Sequence, residues 1–276
     1  MRVAVLLQGD PRFCSEFDLF LENLVGADRV DWFMYLWKDN PPTANLLAGT
    51  GHKVVAPCWQ HINRDWALEK FKEYFPAHHY VEGLELGDQN SVPVIQITEN
   101  YAQETVQSNV WKMWYSQFMS NKMRTDYEQQ HGFKYDVVIK TRPDVSLENQ
   151  LDVRFMRHHF DKESNLVIMS QNKRCGYGVF ITDLIGVSTS ENMTTYTNLY
   201  NEALEHHKRG VIFHPETMLA HHLDHHGLKY APANFNINFR RNGIWTDNTT
   251  GEQWDSVFVP TWHNKTYTSN FGRWEQ

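Results

Sequence analysis

Tyr135–Val145 reads Y-D-V-V-I-K-T-R-P-D-V, and its middle decides the fold. Val137, Val138 and Ile139 form a short apolar run of β-branched residues, the composition of a strand buried on both faces of a parallel sheet. Polarity rises from Lys140 onward, where the strand is expected to end. Pro143 has no N–H for a ladder bond and drives Arg142 toward extended backbone, so pairing should not pass it. Ligands of open α/β sheets sit in the crevice beyond the carboxyl ends of the strands. The phrase thus carries a cation, Arg142, and an anion, Asp144, to the place where a small molecule would bind. An ordinary strand-end turn with a surface ion pair reads the same residues equally well.

Upstream, Arg2–Gln8 (R-V-A-V-L-L-Q) predicts a buried first strand closed by the turn Gly9-Asp10-Pro11-Arg12. Ser15 is a plausible N-cap for a helix whose apolar face is Phe17, Leu19, Phe20, Leu21 and Leu24. Val30–Trp37 predicts a second strand, and strand–turn–helix–strand is the opening of a βαβ unit. His52–Pro57 reads as a third short strand, Asn63–Tyr74 as a helix, and Pro76–Asn90 as irregular. Thr98–Gln130 is the longest helical region, with Val110, Met113, Trp114, Gln117, Phe118 and Met123 as its stripe and a break near Asn109 allowed. Downstream, the pattern gives a helix around Asp152–His159, a strand at Asn165–Ser170, and a strand-to-turn passage ending at Thr182-Asp183. Ser190–His207 reads as a helix capped by Ser190. Glu216–His226 reads as another, with Pro215 in its first turn and Gly227 just past its end. Short strands and loops follow from Tyr230. The expectation is one α/β domain over residues 1–276, a mostly parallel central sheet flanked by helices.

Composition narrows the partners. A formal net charge of −7 over 276 residues argues against nucleic acid or an anionic membrane, though a small phosphorylated ligand needs only a few local cations. Aromatics are 14% of the chain, with 10 Trp, side chains that fill cores and also stack on sugars and bases. Cys14, Cys58 and Cys175 lie far apart with no CxxC pair, which fits a reducing compartment. No apolar run approaches the roughly 18 residues of a membrane span, so a soluble, cytoplasmic protein without a transmembrane segment is expected.

Several phrases in order resemble a family of bacterial and phage-encoded glycosyltransferases with the GT-A, nucleotide-diphospho-sugar transferase fold. They are Leu6-Leu7-Gln8-Gly9-Asp10-Pro11-Arg12-Phe13, Asp31-Trp32-Phe33-Met34-Tyr35-Leu36-Trp37 and Met113-Trp114-Tyr115-Ser116. Tyr135-Asp136 through Arg142 and Asp144, then Asp183, and finally His214-Pro215-Glu216-Thr217-Met218-Leu219 complete the set, which spans roughly residues 1–241. Two positions depart from the pattern: Lys140 stands where a second Arg is usual, and Asp10 follows Gly9.

The resemblance implies an enzyme that moves a sugar from a nucleotide-sugar donor to a saccharide or other hydroxyl acceptor, in surface-glycan synthesis or modification. Such a site holds a diphosphate, commonly with Mn2+ or Mg2+, hard cations that take oxygen ligands. Asp144 is then the metal or donor-sugar residue, against a helix-cap or salt-bridge role, and Arg142 contacts phosphate or a sugar hydroxyl through its planar fork. Gly9 and Arg12 take the nucleotide, or form a purely structural turn. Trp37 ends its strand at the same crevice. Asp183 and Glu216 are the candidate general bases, Glu216 also serving a helix dipole where it stands. His263 is a candidate metal ligand and Arg240-Arg241 candidate covers for the diphosphate. His221-His222 and His225-His226 repeat at a spacing that can hold Zn2+ or Ni2+ from one helix face, or can be a solvated surface. The alternative from another class is a non-catalytic carbohydrate-binding or virion-associated protein keeping the fold, motivated by the single carboxylate of Arg142-Pro143-Asp144. A phosphotransferase is disfavoured, because no G-x-x-x-x-G-K-[ST] phrase occurs.

Overall fold

Every residue from Val3 to Gln8 is buried, because the strand that carries them has a helical layer on each face. The computed structural model describes residues 1–9, 17–38, 64–65, 67–69, 75–97, 104–143, 145–147, 149–169, 172–175, 178–181, 183–232, 237–241 and 244–247. In chain order the elements are β1 (Arg2–Gly9), α1 (Phe17–Asn23), β2 (Leu24–Val25), β3 (Arg29–Trp37), β4 (His79–Gly87) and a 3-10 turn at Gln89–Ser91. Next come α2 (Glu104–His131), β5 (Val137–Thr141), β6 (Val145–Leu147), β7 (Leu151–Asp152), α3 (Val153–Lys162) and β8 (Leu166–Met169). The rest are β9 (Asn172–Cys175), β10 (Gly178–Ile181), β11 (Gly186–Ser188), α4 (Ser190–Thr197), α5 (Leu199–Lys208), α6 (Pro215–His225), β12 (Lys229–Pro232), β13 (Ile237–Arg241) and β14 (Ile244–Asp247). Among the described residues no helix is long and apolar enough to cross a membrane.

Seven strands form one sheet in the order β12-β8-β11-β5-β1-β3-β4. Its pairings are parallel except the two made by β11, so the class is α/β with a mostly parallel central sheet. The chain runs outward from β1 to β3 and β4, then returns past β1 to β5 on its other side. That reversal is a topological switch point, and the crevice it opens lies at the carboxyl ends of β1 and β5. Alternation along the strands divides the core. Val3, Val5, Leu7, Val137 and Ile139 pack with Phe20 and Leu21 of α1 and Met156 and Phe160 of α3. Ala4, Leu6 and Val138 pack on the opposite face with Trp111 and Trp114 of α2, Met193 and Tyr196 of α4, and Met218 and Leu219 of α6.

A buried ionic network ties α2 to this second layer. Arg124 Nη1 lies 2.9 Å from Glu128 Oε1, and Nη2 donates to Thr194 Oγ1 at 2.7 Å and Asn121 Oδ1 at 2.7 Å. Glu128 in turn accepts from the Tyr135 N–H at 2.9 Å and from Ser190 Oγ at 2.9 Å, so the entrance to β5 and the start of α4 share one carboxylate.

Four expectations are corrected. Pro76–Asn90 is not irregular: His79–Gly87 is β4, a nine-residue edge strand paired in parallel with β3. α2 runs unbroken through Asn109. β5 continues through Lys140 and Thr141, both wholly buried, before pairing ends ahead of Pro143. The helix expected over Ser190–His207 is two, parted at Asn198, and Thr189 rather than Ser190 caps it, because the Ser190 hydroxyl is committed to Arg124 and Glu128. The strand expected at His52–Pro57 lies outside the described residues.

Candidate active site

The carboxyl edge of the sheet collects polar groups that the core leaves unanswered. Gln8 is 2% exposed at the end of β1, and neither atom of its amide has a hydrogen-bond partner among the described residues. Thr141 Oγ1 at the end of β5, Asp183 Oδ2 just before β11, and Glu216 Oε2 in the first turn of α6 are likewise buried without one. A buried polar atom left unpaired costs about 1–3 kcal/mol, so several at one edge mark a place built for something other than packing.

Each is positioned by a specific element. Leu7 of β1 is in register with Thr141 of β5, so Gln8 and Gly9 stand at the switch point beside the end of β5. Gly9 adopts φ +104, a conformation open to glycine, and a side chain there would meet nothing within 4 Å. Gly186 of β11 pairs with both Lys140 of β5 and Met169 of β8, which brings Asp183, three residues earlier, to the same edge. Lys140 fixes it there: its Nζ donates to the Asp183 carbonyl and lies 5.9 Å from the centre of the Tyr196 ring. The Tyr196 hydroxyl is buried and unpartnered among the described residues, and burial first, then the Asp183 charge, push its pKa well above the ordinary value.

Glu216 is the most perturbed acid here. Burial, followed by the nearby Asp183 charge, pushes its pKa from 4.5 up to about 7, against the pull of its own helix-start N–H. His214 Nδ1 sits 3.4 Å from Glu216 Oε2 and 3.2 Å from Thr217 Oγ1, and burial lowers the His214 pKa. Two carboxylates whose fields oppose each other, one of them poised near neutrality, are the arrangement that acid–base chemistry uses.

The structure brings together Gly9, Asp183 and Glu216 of the residues expected from sequence. Arg142 is half-buried immediately after β5. Trp37 ends β3 as expected, but its indole is buried and stacked on Tyr115 at 6.4 Å, in a small cluster with Tyr35 and Val92, rather than presenting an open ring. β13, which carries Arg240 and Arg241, pairs with β6 directly after the R-P-D phrase, so its backbone reaches this edge; the two side chains lie outside what is described. Arg12, Asp144 and His263 also lie outside the described residues. Gln8, Lys140 and His214 stand in the phrases quoted from the sequence but were given no site role there, and Tyr196 was not named. Lys140 had one available signal, since it shares the inward parity of Val138 on a strand otherwise free of charge.

Among the described residues, one group of three or more His, Cys, Asp or Glu side chains is close enough to hold a metal ion: Glu202, His206 and His222, away from this edge between α5 and α6. A scan against protein-family models finds no match for this chain, and neither does a search of curated proteins.

Proposed function

We propose that this chain is a nucleotide-sugar-dependent glycosyltransferase of GT-A-like fold, with its reaction centre at the carboxyl edge around Asp183 and Glu216. The observation that carries the reading is the Glu216–Asp183 pair, with a buried, orphaned oxygen on each carboxyl and with burial and the Asp183 charge pushing the Glu216 pKa up to about 7. A donor diphosphate would occupy the β1–β5 crevice, where Gly9 lets the backbone approach closely and Arg142 supplies charge. Glu216 would accept the acceptor hydroxyl's proton as that oxygen bonds to the anomeric carbon. The carbon–oxygen bond to the diphosphate breaks with its electron pair leaving on the phosphate oxygen. Lys140, through the Asp183 carbonyl, fixes the second acid.

Mn2+ or Mg2+ belongs to the same reading. Asp183 Oδ2, buried and unpartnered among the described residues, is a hard donor of the kind either ion accepts, alongside the expected Asp144, which leaves Glu216 to take the proton. Bound with the diphosphate, the ion would neutralise the leaving group.

The test is to incubate the protein with a panel of nucleotide sugars, with and without Mn2+, and follow nucleoside diphosphate release and melting temperature. Donor-specific release supports the reading. Neither turnover nor a thermal shift with any nucleotide would sink it, and glycan binding without nucleotide binding would assign the fold to a non-catalytic carbohydrate-binding protein.

A further inference from the structure

The histidine repeat of α6 does not make a site on one helix face, as its spacing invites. His222 turns inward to meet α5, where Glu202 and His206 stand one turn apart on the facing side. His206 Nε2 lies 3.0 Å from His222 Nδ1, and Glu202 Oε2 lies 3.7 Å from the first and 3.6 Å from the second. A tetrahedral zinc ion with bonds of about 2.0–2.2 Å needs its ligand atoms about 3.3–3.5 Å apart, which these three distances bracket.

The surroundings orient two of the three donors, His222 and Glu202, as an ion would require, while His206 Nδ1 is buried without a hydrogen-bond partner among the described residues. His222 Nε2 lies 2.7 Å from the Thr195 carbonyl, which only accepts, so that nitrogen carries the hydrogen and Nδ1 turns its lone pair into the triangle. Glu202 Oε1 accepts from Asn198 at 2.6 Å and Oε2 from His226 at 2.8 Å, fixing the carboxylate. His206 and His222 are 1% and 0% exposed. The edges of His221 and His225 also face His206, at 4.9 and 5.3 Å between ring centres. Glu202 and His226, 28% and 33% exposed, leave one side open for an ion to enter and for a water as fourth ligand.

We propose that Glu202, His206 and His222 form a zinc site that clamps α6 to α5. Two imidazoles and one carboxylate suit a borderline ion over Mg2+ or Mn2+, which prefer all-oxygen sets. The clamp grips α6 two turns from the end that carries Glu216, so it bears on the reaction edge without being part of it.

The experiment uses tag-free full-length protein stripped with a chelator, then titrated with ZnCl2 alone while heat, melting temperature and bound zinc per chain are measured. The expected result is one zinc per chain and a raised melting temperature, with Mg2+ giving neither. Glu202→Gln keeps the side chain's shape and one acceptor, for Asn198, and it should weaken zinc binding about tenfold or more while circular dichroism stays that of the wild type. His206→Gln should do the same. Absence of zinc binding by the stripped wild type, or binding unchanged in both variants, overturns the proposal; in the second case the ion sits on the surface pairs instead.

Discussion

Glu216→Gln should make this protein more stable, and by an amount that depends on pH in one direction only. In the folded chain the carboxyl pKa stands at about 7 against an ordinary 4.5. Between those values the folded state holds a proton that the unfolded state has lost, so stability falls as pH rises through the window and levels off above about 7. Each tenfold difference in proton affinity is worth about 1.4 kcal/mol, so carrying Glu216 ionised costs the folded state about 3 kcal/mol at pH 8.5. Its side chain is 23% exposed, and that residual water contact trims the figure toward about 2 kcal/mol. Glutamine is nearly isosteric and never ionises, so the variant removes this cost and little else. Urea denaturation at pH 4, 5.5, 7 and 8.5 reads it directly. With a slope of about 3 kcal/mol per molar, the midpoint should rise by about 0.7–1 M at pH 8.5 and not at all near pH 4. Parallel curves for the two proteins across the whole range would refute the argument that burial and Asp183 hold this acid near neutrality. On the proposed function the same variant loses transfer, so greater stability and lost activity should arrive together.

Arg124→Met should destabilise the fold by about 3 kcal/mol in chemical denaturation, because Glu128 loses its buried partner and keeps only Lys134, an exposed side chain whose Nζ lies 3.1 Å away. Adding Glu128→Gln should recover part of that loss. His79, His206 and His222 are held neutral, chiefly by burial, at pKa values near 3, 4 and 4, while the unfolded rings titrate near 6.5. Their contribution is intact above 6.5 and lost as pH falls toward 4, and His79→Asn, which keeps an acceptor for Trp32, should shallow the acid side of a melting-temperature profile. Lys140→Met fills the same buried volume but drops the bond to the Asp183 carbonyl. Far-UV circular dichroism should hold while nucleotide-sugar turnover falls at least tenfold, and full turnover would remove Lys140 from the site.

The parts read well from sequence are those whose burial is one-sided or total. β1, β3 and β5 announce themselves as apolar runs, and α6 by Pro215 at its first turn and Gly227 at φ +68. β4 was missed because H-Y-V-E-G-L-E-L-G is an edge strand, its glutamates and glycines reading as loop until β3 supplies the pairing. Nothing local marks the break at Asn198: no Gly or Pro stands there, and its N–H is shared by the carbonyls of Thr194 and Thr195. Asp183 and Glu216 were each legible as a carboxylate at an element end. Their meeting was not, since it depends on α6 packing over the β9–β10 hairpin. The histidine spacing pointed to α6 alone, whereas the cluster close enough to hold an ion joins His222 of α6 to Glu202 and His206 of α5.

β11 alone runs against its neighbours. In a sheet of wholly parallel strands, only residues leaving a strand reach the carboxyl rim, and each must first be carried through the core. Reversing one strand lets a residue arrive at that rim from the other side, as Asp183 does before β11 begins. The chemistry there can change through the β9–β10 hairpin without disturbing a single core register. On the proposed function, that hairpin is the segment to vary to alter what the rim binds, and β1 and β5 are the ones to leave alone.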